Sequence, residues 1–277
     1  MRTGFVTCVR LGESCMHEIY RVGGMLDLAV TLPDDHAQRK SGRVYLDSFC
    51  ESRQIPLVKS PHVNDRLVIE AVRRFEIDWL FIIGWSQIAN PDLLSAPNKG
   101  VLGMHPTLLP VGRGRASIPW AILKGLGQTG VTLFKLDQGV DTGPVLDQEI
   151  LDLSTIETAT TLYDRMIQAH RALIARVWRD LLDDRVILQQ QDEALATVWP
   201  GRSPEDGRID ASRMTVDEID RLVRAVTKPY PGAFLDDRER RLRIWAGIRN
   251  RPDGSVPGWL PIQASDGVFY ATEFEHE

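Results

Sequence analysis

The chain has 277 residues, a formal net charge of −5, 43% apolar residues and 26% charged residues, enough for one large domain and a small appendage. Its acidic balance argues against a nucleic-acid binder, whose phosphate contacts need a basic surface, and no window approaches the ~18 consecutive apolar residues of a membrane span. The N-terminal stretch MRTGFVTCVRLGESC has no apolar signal-peptide core. Cys8, Cys15 and Cys50 are an odd set without metal-ligand spacing, which points to reduced thiols and a cytoplasmic location.

In chain order, Gly4–Val9 reads as a first strand, followed by a turn at Leu11-Gly12-Glu13-Ser14 and a short helix over His17–Val22. Met25–Thr31 is a second β-branched run, Tyr45–Ser52 a helix and Ile55–Val58 a short strand. Asn64 or Asp65 is placed to cap a helix whose apolar positions Leu67, Val68, Ala71, Val72 and Phe75 recur at helical spacing. Trp79–Ile83 is apolar on both faces, the pattern of a central parallel strand. Strands alternating with helices indicate a layered α/β domain with a mainly parallel sheet. Ligands of such sheets bind beyond the carboxyl ends of the strands, where Gly84-Trp85-Ser86-Gln87 falls.

A strand over Gly100–Met104, a loop over His105–Arg115 and a helix from Ile118 to about Lys124 come next. Gly130–Leu136 and Val145–Ile150 read as strands, and Thr155–Leu182 as a long helix with Leu162, Met166, Ala169, Leu173, Val177 and Leu181 on one stripe. From about Gln190 the texture changes, and Trp199–Gly207 has the turn chemistry of a linker. Thr215 is placed to cap a helix that ends before Pro229-Tyr230-Pro231-Gly232. Leu242–Ala246, Trp259–Gln263 and Val268–Thr272 read as strands, with turns at Asp253-Gly254 and Asp266-Gly267. The expected division is a domain over 1–190, a linker and helix over 191–234, and a small β-rich C-terminal appendage over 235–277. Arg238, Arg240, Arg241, Arg243, Arg249 and Arg251 cluster there; a solvated face is the plainer reading, an anionic-ligand patch the sharper one.

The chemistry is concentrated in Val101–Ile150. His105 sits on the loop after a buried strand, and Asp141 returns at a tight Asp-Thr-Gly-Pro turn. A histidine with a carboxylate partner is the minimal acid–base machinery near neutral pH. No Gly-x-Gly-x-x-Gly follows the first strand and no Walker motif is present, so a dinucleotide or nucleoside triphosphate site has no local support. No His or Cys cluster has metal-ligand spacing, and no metal is expected.

The ordered runs His105-Pro106-Thr107-Leu108-Leu109-Pro110, Arg113-Gly114-Arg115, Pro119-Trp120-Ala121-Ile122, Thr129-Gly130-Val131-Thr132 and Asp141-Thr142-Gly143-Pro144 closely resemble the 10-formyltetrahydrofolate-dependent formyltransferases. Arg202–Asp210, Arg224-Ala225-Val226 and Pro229–Phe234 extend the likeness, which is nearest to the sugar N-formyltransferases of the lipid A aminoarabinose type. The resemblance covers roughly residues 81–234. It implies a Rossmann-like formyltransferase domain that carries a formyl group from N10-formyltetrahydrofolate to a primary amine, through an intermediate bearing an oxyanion. It further implies His105 as the base and Asp141 as the carboxylate that orients it. Two loops would hold the folate, Gly84, Trp85, Ser86, Gln87 and Ile88 on one and Leu136, Asp137, Gly139, Val140 and Asp141 on the other. Thr107, Arg113, Gly114 and Arg115 would meet the acceptor. The acceptor expected is a small-molecule amine on a nucleotide sugar, with neither nucleic acid nor membrane as partner; a homodimer stays open.

One position departs from the pattern. The family has Asn-x-His, its amide helping to hold the oxyanion, whereas here the position is Gly103. Losing one preorganised donor costs about 10²–10³ in rate. Three accounts compete: replacement by Gln87, Ser86, Thr107 or a water; altered chemistry in a divergent member; or an introduced substitution. The first is favoured. Alternatives to sugar-amine transfer are a folate-binding protein of this fold with weak catalysis, transfer to a non-sugar amine or to methionyl-tRNA, and a hydrolase releasing formate from the same donor.

Overall fold

The computed structural model describes residues 1–36, 42–237, 240–250 and 258–277. In chain order the strands and helices are β1 (Thr3–Val6), α1 (Arg10–Arg21), β2 (Leu28–Thr31), α2 (Asp47–Glu51), β3 (Leu57–Lys59), α3 (Arg66–Arg74), β4 (Trp79–Ile82), α4 (Pro91–Leu94) and β5 (Gly100–His105). There follow β6 (Arg113–Gly114), α5 (Ser117–Leu123), β7 (Gln128–Lys135), β8 (Val145–Asp152), α6 (Ala159–Leu182), β9 (Val198–Trp199), α7 (Val216–Val226), β10 (Ala233–Asp237), β11 (Arg240–Ile248), β12 (Leu260–Gln263) and β13 (Val268–His276).

Two compact units form. The first comprises Met1–Gly114, Thr129–Leu151 and Arg165–Val198. Its seven-stranded sheet has the order β3-β2-β1-β4-β5-β7-β8. β1 to β5 run parallel and β7 runs antiparallel to β5, so the sheet is mainly parallel, as its alternating strands and helices predict. β1, β2, β4 and β5 are buried along their whole length, which is why they read as continuous apolar runs rather than alternating ones. Val6, Val30, Leu80 and Val101 on one face pack with Val68 and Val72 of α3. Phe81 stacks between Phe5 and Trp178, with ring centroids 5.7 and 6.4 Å away.

The first helix differs from the sequence reading. Leu11-Gly12-Glu13-Ser14 is not a turn but the first turns of α1, which begins at Arg10. A Cβ on Gly12 would lie 2.0 Å from the Thr7 hydroxyl and 3.0 Å from the Ile83 carbonyl, so this glycine lets a helix touch the sheet. At α3 the N-cap is Asp65, but its carboxylate does not cap the helix. It accepts from the Ser60 hydroxyl and the His62 N–H instead.

The second unit comprises Arg115–Gln128, Asp152–Asp164 and Trp199–Glu277. Its four-stranded antiparallel sheet has the order β10-β11-β13-β12. α7 packs on it, with Ile219, Leu222, Val223 and Val226 buried, and Thr215 caps α7 in a capping box with Glu218. Within the arginine cluster, Arg241 pairs with Glu205 and Asp236, Arg243 with Glu277, and Arg249 with Asp217. These three guanidinium groups are committed to acids of the chain, against the anionic-ligand reading of the cluster. Arg238, Arg251 and the Asp253-Gly254 turn lie outside the described residues.

The three cysteines are free and buried, and no helix among the described residues is long and apolar enough to cross a membrane. His170 on α6 is fully buried, its Nδ1 donating to the Met166 carbonyl at 2.7 Å. Burial, more than the nearby charge of His105, pulls its pKa down to about 4. A histidine lowered in the folded state binds its proton first in the unfolded chain, so its contribution to stability is complete above pH ~6.5 and is lost as pH falls toward 4, at up to about 1.4 kcal/mol per unit. Urea midpoints measured between pH 7 and pH 4.5 are expected to fall along this window, and to fall less steeply in a His170→Gln variant.

Candidate active site

The site grows from the end of β5. Its register places Gly103 between Ile82 of β4 and Phe134 of β7, and His105 opposite Thr132. Side chains alternate along a strand, so Val101, Gly103 and His105 share a face, the one whose Val101 enters the core beneath α3. The loop after His105 is pinned to β7 and β8. The Thr132 hydroxyl donates to Thr107 O at 2.7 Å and accepts from Leu109 N at 3.0 Å, while Gln148 Nε2 donates to Leu109 O at 2.8 Å.

His105 is 7% exposed. Its Nε2 lies 2.8 Å from the Gly112 carbonyl; a carbonyl only accepts, so Nε2 carries a proton and Nδ1 is the basic nitrogen of the neutral ring. Nδ1 faces Asp141 Oδ2 at 3.5 Å, beyond a good hydrogen bond but well within ion-pair range. A proton arriving at Nδ1 therefore meets a carboxylate already in place. The same Oδ2 accepts from Gly114 N at 2.8 Å. Residues 112 and 114 thus hold the two partners, one by its carbonyl and the other by its N–H.

Asp141 has φ 56°, the left-handed region that costs a non-glycine residue about 1–3 kcal/mol. Its turn is built tightly. Asp137 Oδ1 accepts from Gly139 N at 3.0 Å and the Thr142 hydroxyl at 2.7 Å. Gln191 Nε2 donates to the carbonyls of Asp141 and Gly143 at 2.9 and 2.7 Å. Gln191 Oε1 accepts from Arg113 Nη2 at 2.8 Å, and Glu193 accepts from Arg113 Nη1 and Nη2 at 2.8 and 2.6 Å. Glu193 holds the Arg113 guanidinium firmly charged.

The other expected site residues fall as follows. Gly84, Ser86 and Ile88 are exposed on the loop after β4, with Trp85 half-buried. Gln87 is engaged: Oε1 accepts from Val63 N at 2.8 Å and Trp85 Nε1 at 2.9 Å, and Nε2 donates to Pro61 O at 2.8 Å. Its amide pins this loop, with one Nε2 N–H not used in these bonds. Leu136 and Trp85 pack on the same apolar cluster, which brings the two expected folate loops to one side of the sheet, and Ile88 and Val140 stay 62% and 49% exposed there. Thr107 is buried with an unpaired hydroxyl, Gly114 is half-buried and Arg115 exposed. Arg113 is only 5% exposed and turned inward to Gln191 and Glu193. Gly112, Gln148, Gln191 and Glu193 escaped the sequence reading. They act through main-chain contacts or from a glutamine-rich stretch without any motif.

The space beside Gly103 is filled. A Cβ there would lie 2.7 Å from Leu136 Cδ2, 3.3 Å from Leu136 Cγ and 3.4 Å from Phe134 Cε1. Leu136 thus stands where the first atom of an Asn side chain would go, and the atoms nearest Gly103 there are apolar.

The sequence model described as "Formyl transferase" matches residues 33–178, more than half of the chain, and that of the "Formyl transferase, C-terminal domain" matches residues 202–272. The chain belongs to the formyl transferase family. Among solved structures it is similar to an N-formyltransferase from Helicobacter canadensis in complex with folinic acid and dTDP-3-aminofucose, at 18% identity over 99% of both chains and a TM-score of 0.71. Methionyl-tRNA formyltransferase from Clostridium thermocellum matches at 19% identity over 100% and 99% of the two chains, with a TM-score of 0.63. A HypX variant from Aquifex aeolicus matches at 16% identity and a TM-score of 0.69; it covers 99% of this chain, which spans 45% of HypX. At these identities the likeness is one of fold. As members of this family do, the protein transfers formyl groups.

Gly103→Asn must push Leu136 aside, and overpacking of this kind costs about 1–3 kcal/mol. The single variant is expected to melt below the wild type, and Gly103→Asn/Leu136→Ala to recover part of the loss; thermal denaturation of the three proteins checks it. Equal melting points for Gly103→Asn and the wild type would show that Leu136 does not hold this space.

Proposed function

We propose that the protein moves a formyl group from N10-formyltetrahydrofolate to the primary amine of a nucleotide-linked amino sugar. The observation that carries this reading is the His105–Asp141 pair, the ring buried, its Nδ1 unprotonated in the neutral form and a carboxylate 3.5 Å from it, in a chain of the formyl transferase family. The Helicobacter canadensis relative, whose structure contains a reduced folate and a nucleotide-linked amino sugar, supports the choice of donor and acceptor. The acidic balance of the chain disfavours tRNA, which the shared fold alone does not.

The residues suit such a donor. The exposed Ile88 and Val140 and the half-buried Trp85 offer apolar surface to a flat ring, and Ile88 and Trp85 with Leu136–Asp141 are the groups that would hold it. The donor supplies an activated formyl carbon, whose bond to nitrogen is exchanged for one to the acceptor amine. An attacking amine must shed a proton, which on this reading goes to His105 Nδ1. Asp141 stabilises the resulting imidazolium. The Gly112 carbonyl keeps the ring from turning, so the same proton is available for the departing nitrogen. Position 103 contributes no side chain to the charge that develops on the formyl oxygen.

The apolar wall of Leu136 favours a second reading, a site that binds reduced folate and transfers slowly. Titration calorimetry with a reduced folate beside a mass-spectrometric assay of formyl gain across a panel of nucleotide-linked amino sugars separates the two: binding without turnover supports the second. Under the first, His105→Ala is expected to lose about 10²–10⁴ in kcat and Asp141→Asn a large part of that, with reduced-folate affinity kept. Undiminished turnover in His105→Ala would falsify the assignment of the base.

A further inference from the structure

Gln191 stands 50 residues from Asp141 in sequence and belongs to none of the motif-bearing loops. Its carboxamide is nevertheless the hub of the contacts behind the catalytic pair. Both N–H bonds go to main-chain carbonyls, those of Asp141 and Gly143. Its oxygen receives two N–H bonds from Arg113, at 2.8 Å from Nη2 and 3.2 Å from Nε. Carbonyls only accept and a guanidinium only donates, so this amide cannot be turned over. All of its hydrogen-bonding capacity is used, in one orientation.

The two gripped carbonyls, of Asp141 and Gly143, flank Thr142, and Asp141 itself has the left-handed φ of 56°. An aspartate left to itself relaxes out of that region, carrying its carboxylate away from the Gly114 N–H and from His105 Nδ1. The grip opposes this. Its strength is raised by Arg113, because an amide whose oxygen faces a cation is a better donor at nitrogen. Arg113 is in turn paired with Glu193, which fixes the guanidinium against the Gln191 oxygen. The main chain of Arg113 lies between the Gly112 carbonyl on His105 and the Gly114 N–H on Asp141. Side chain and main chain of one residue thus serve the same pair by separate routes.

We infer that Gln191 is a positioning residue for transfer: by gripping the carbonyls of Asp141 and Gly143 it holds the Asp141 carboxylate on His105 and sets the rate of proton removal without touching either substrate. This rests on the reading of His105 and Asp141 as the acid–base pair. Glutamine is the residue type the position needs. A glutamate keeps the length and the Arg113 contact but turns acceptor oxygens toward two carbonyls, and a methionine keeps the volume and loses every polar contact.

The test is a double-mutant cycle on the full-length protein, with reduced-folate binding measured alongside. Gln191→Glu is expected to lower kcat about 10–50-fold while the KM of the amine and the affinity for reduced folate stay within twofold. In an Asp141→Asn background the same change is expected to cost less than about threefold, because groups acting through one another are not additive. Gln191→Met, with its melting point recorded, serves where the glutamate variant does not fold. A Gln191→Glu enzyme within twofold of the wild type, or one losing the same factor in both backgrounds, overturns the positioning role. A loss of folate affinity as large as the loss in kcat also overturns it, since that marks a loop scaffold and not an aim. If Asp141→Asn and His105→Ala themselves leave kcat unchanged, the acid–base reading fails, and the Gln191 inference falls with it for that separate reason.

Discussion

The hydrogen bond from His105 Nε2 to the Gly112 carbonyl decides what the rest of the site can do. It consumes the ring N–H of the neutral histidine, and so leaves Nδ1 as the unprotonated nitrogen. Everything around it follows from having to aim Nδ1 at a carboxylate that comes from another part of the chain. β5 brings the ring to the carboxyl end of a buried sheet, where strand ends leave room for a ligand. The Gly112-Arg113-Gly114 stretch then ties down ring and carboxylate together, one atom to each. Asp141 pays for its place with a left-handed backbone, and that conformation persists because Asp137, Thr142 and Gln191 over-determine it.

A second constraint is the apolar wall at Gly103. Asn at this position would bring an amide to the face that His105 occupies; here Leu136 closes over the glycine instead. Leu136 opens the segment that ends in Asp141, and its own N–H donates to Val101 O at 2.8 Å. The residue that closes the wall and the residue that carries the carboxylate therefore lie five positions apart on one segment. An apolar wall strengthens the His105–Asp141 attraction and, in the proposed transfer, offers no donor from position 103 to the oxyanion. The two effects oppose each other in rate, and a slower transferase is the expected balance, since one oxyanion donor carries about 10²–10³.

Much of this was legible in the sequence, and the limits have physical causes. Buried parallel strands announce themselves as continuous apolar runs, so Trp79–Ile82 and the α/β layering were readable; α6 and α7 were readable from their stripes and from the Thr215 cap. Leu11-Gly12-Glu13-Ser14 misled because a glycine that permits close packing looks like one that permits a turn. Within the site, His105, Asp141 and the departure at Gly103 stood out as side chains in ordered motifs. Gly112 did not, because a carbonyl leaves no trace in residue type. Gln191 and Glu193 did not either, because their partners lie 50 and 80 residues away and glutamine has no preferred setting. Arg113 was visible as a residue that the resemblance sets toward the acceptor, while its inward contacts to Gln191 and Glu193 left no mark in the sequence.

The most direct test of the central claim follows the carbon itself. The protein is incubated with N10-formyltetrahydrofolate labelled with ¹³C in the formyl group and with nucleotide-linked amino sugars, and the label is traced by carbon NMR. If His105 removes the amine's proton to permit transfer, the label appears as a formamide on the sugar with the wild-type protein, at a rate sharply lower with His105→Ala. Label recovered as formate, or a formamide that forms equally fast without the histidine, would contradict it.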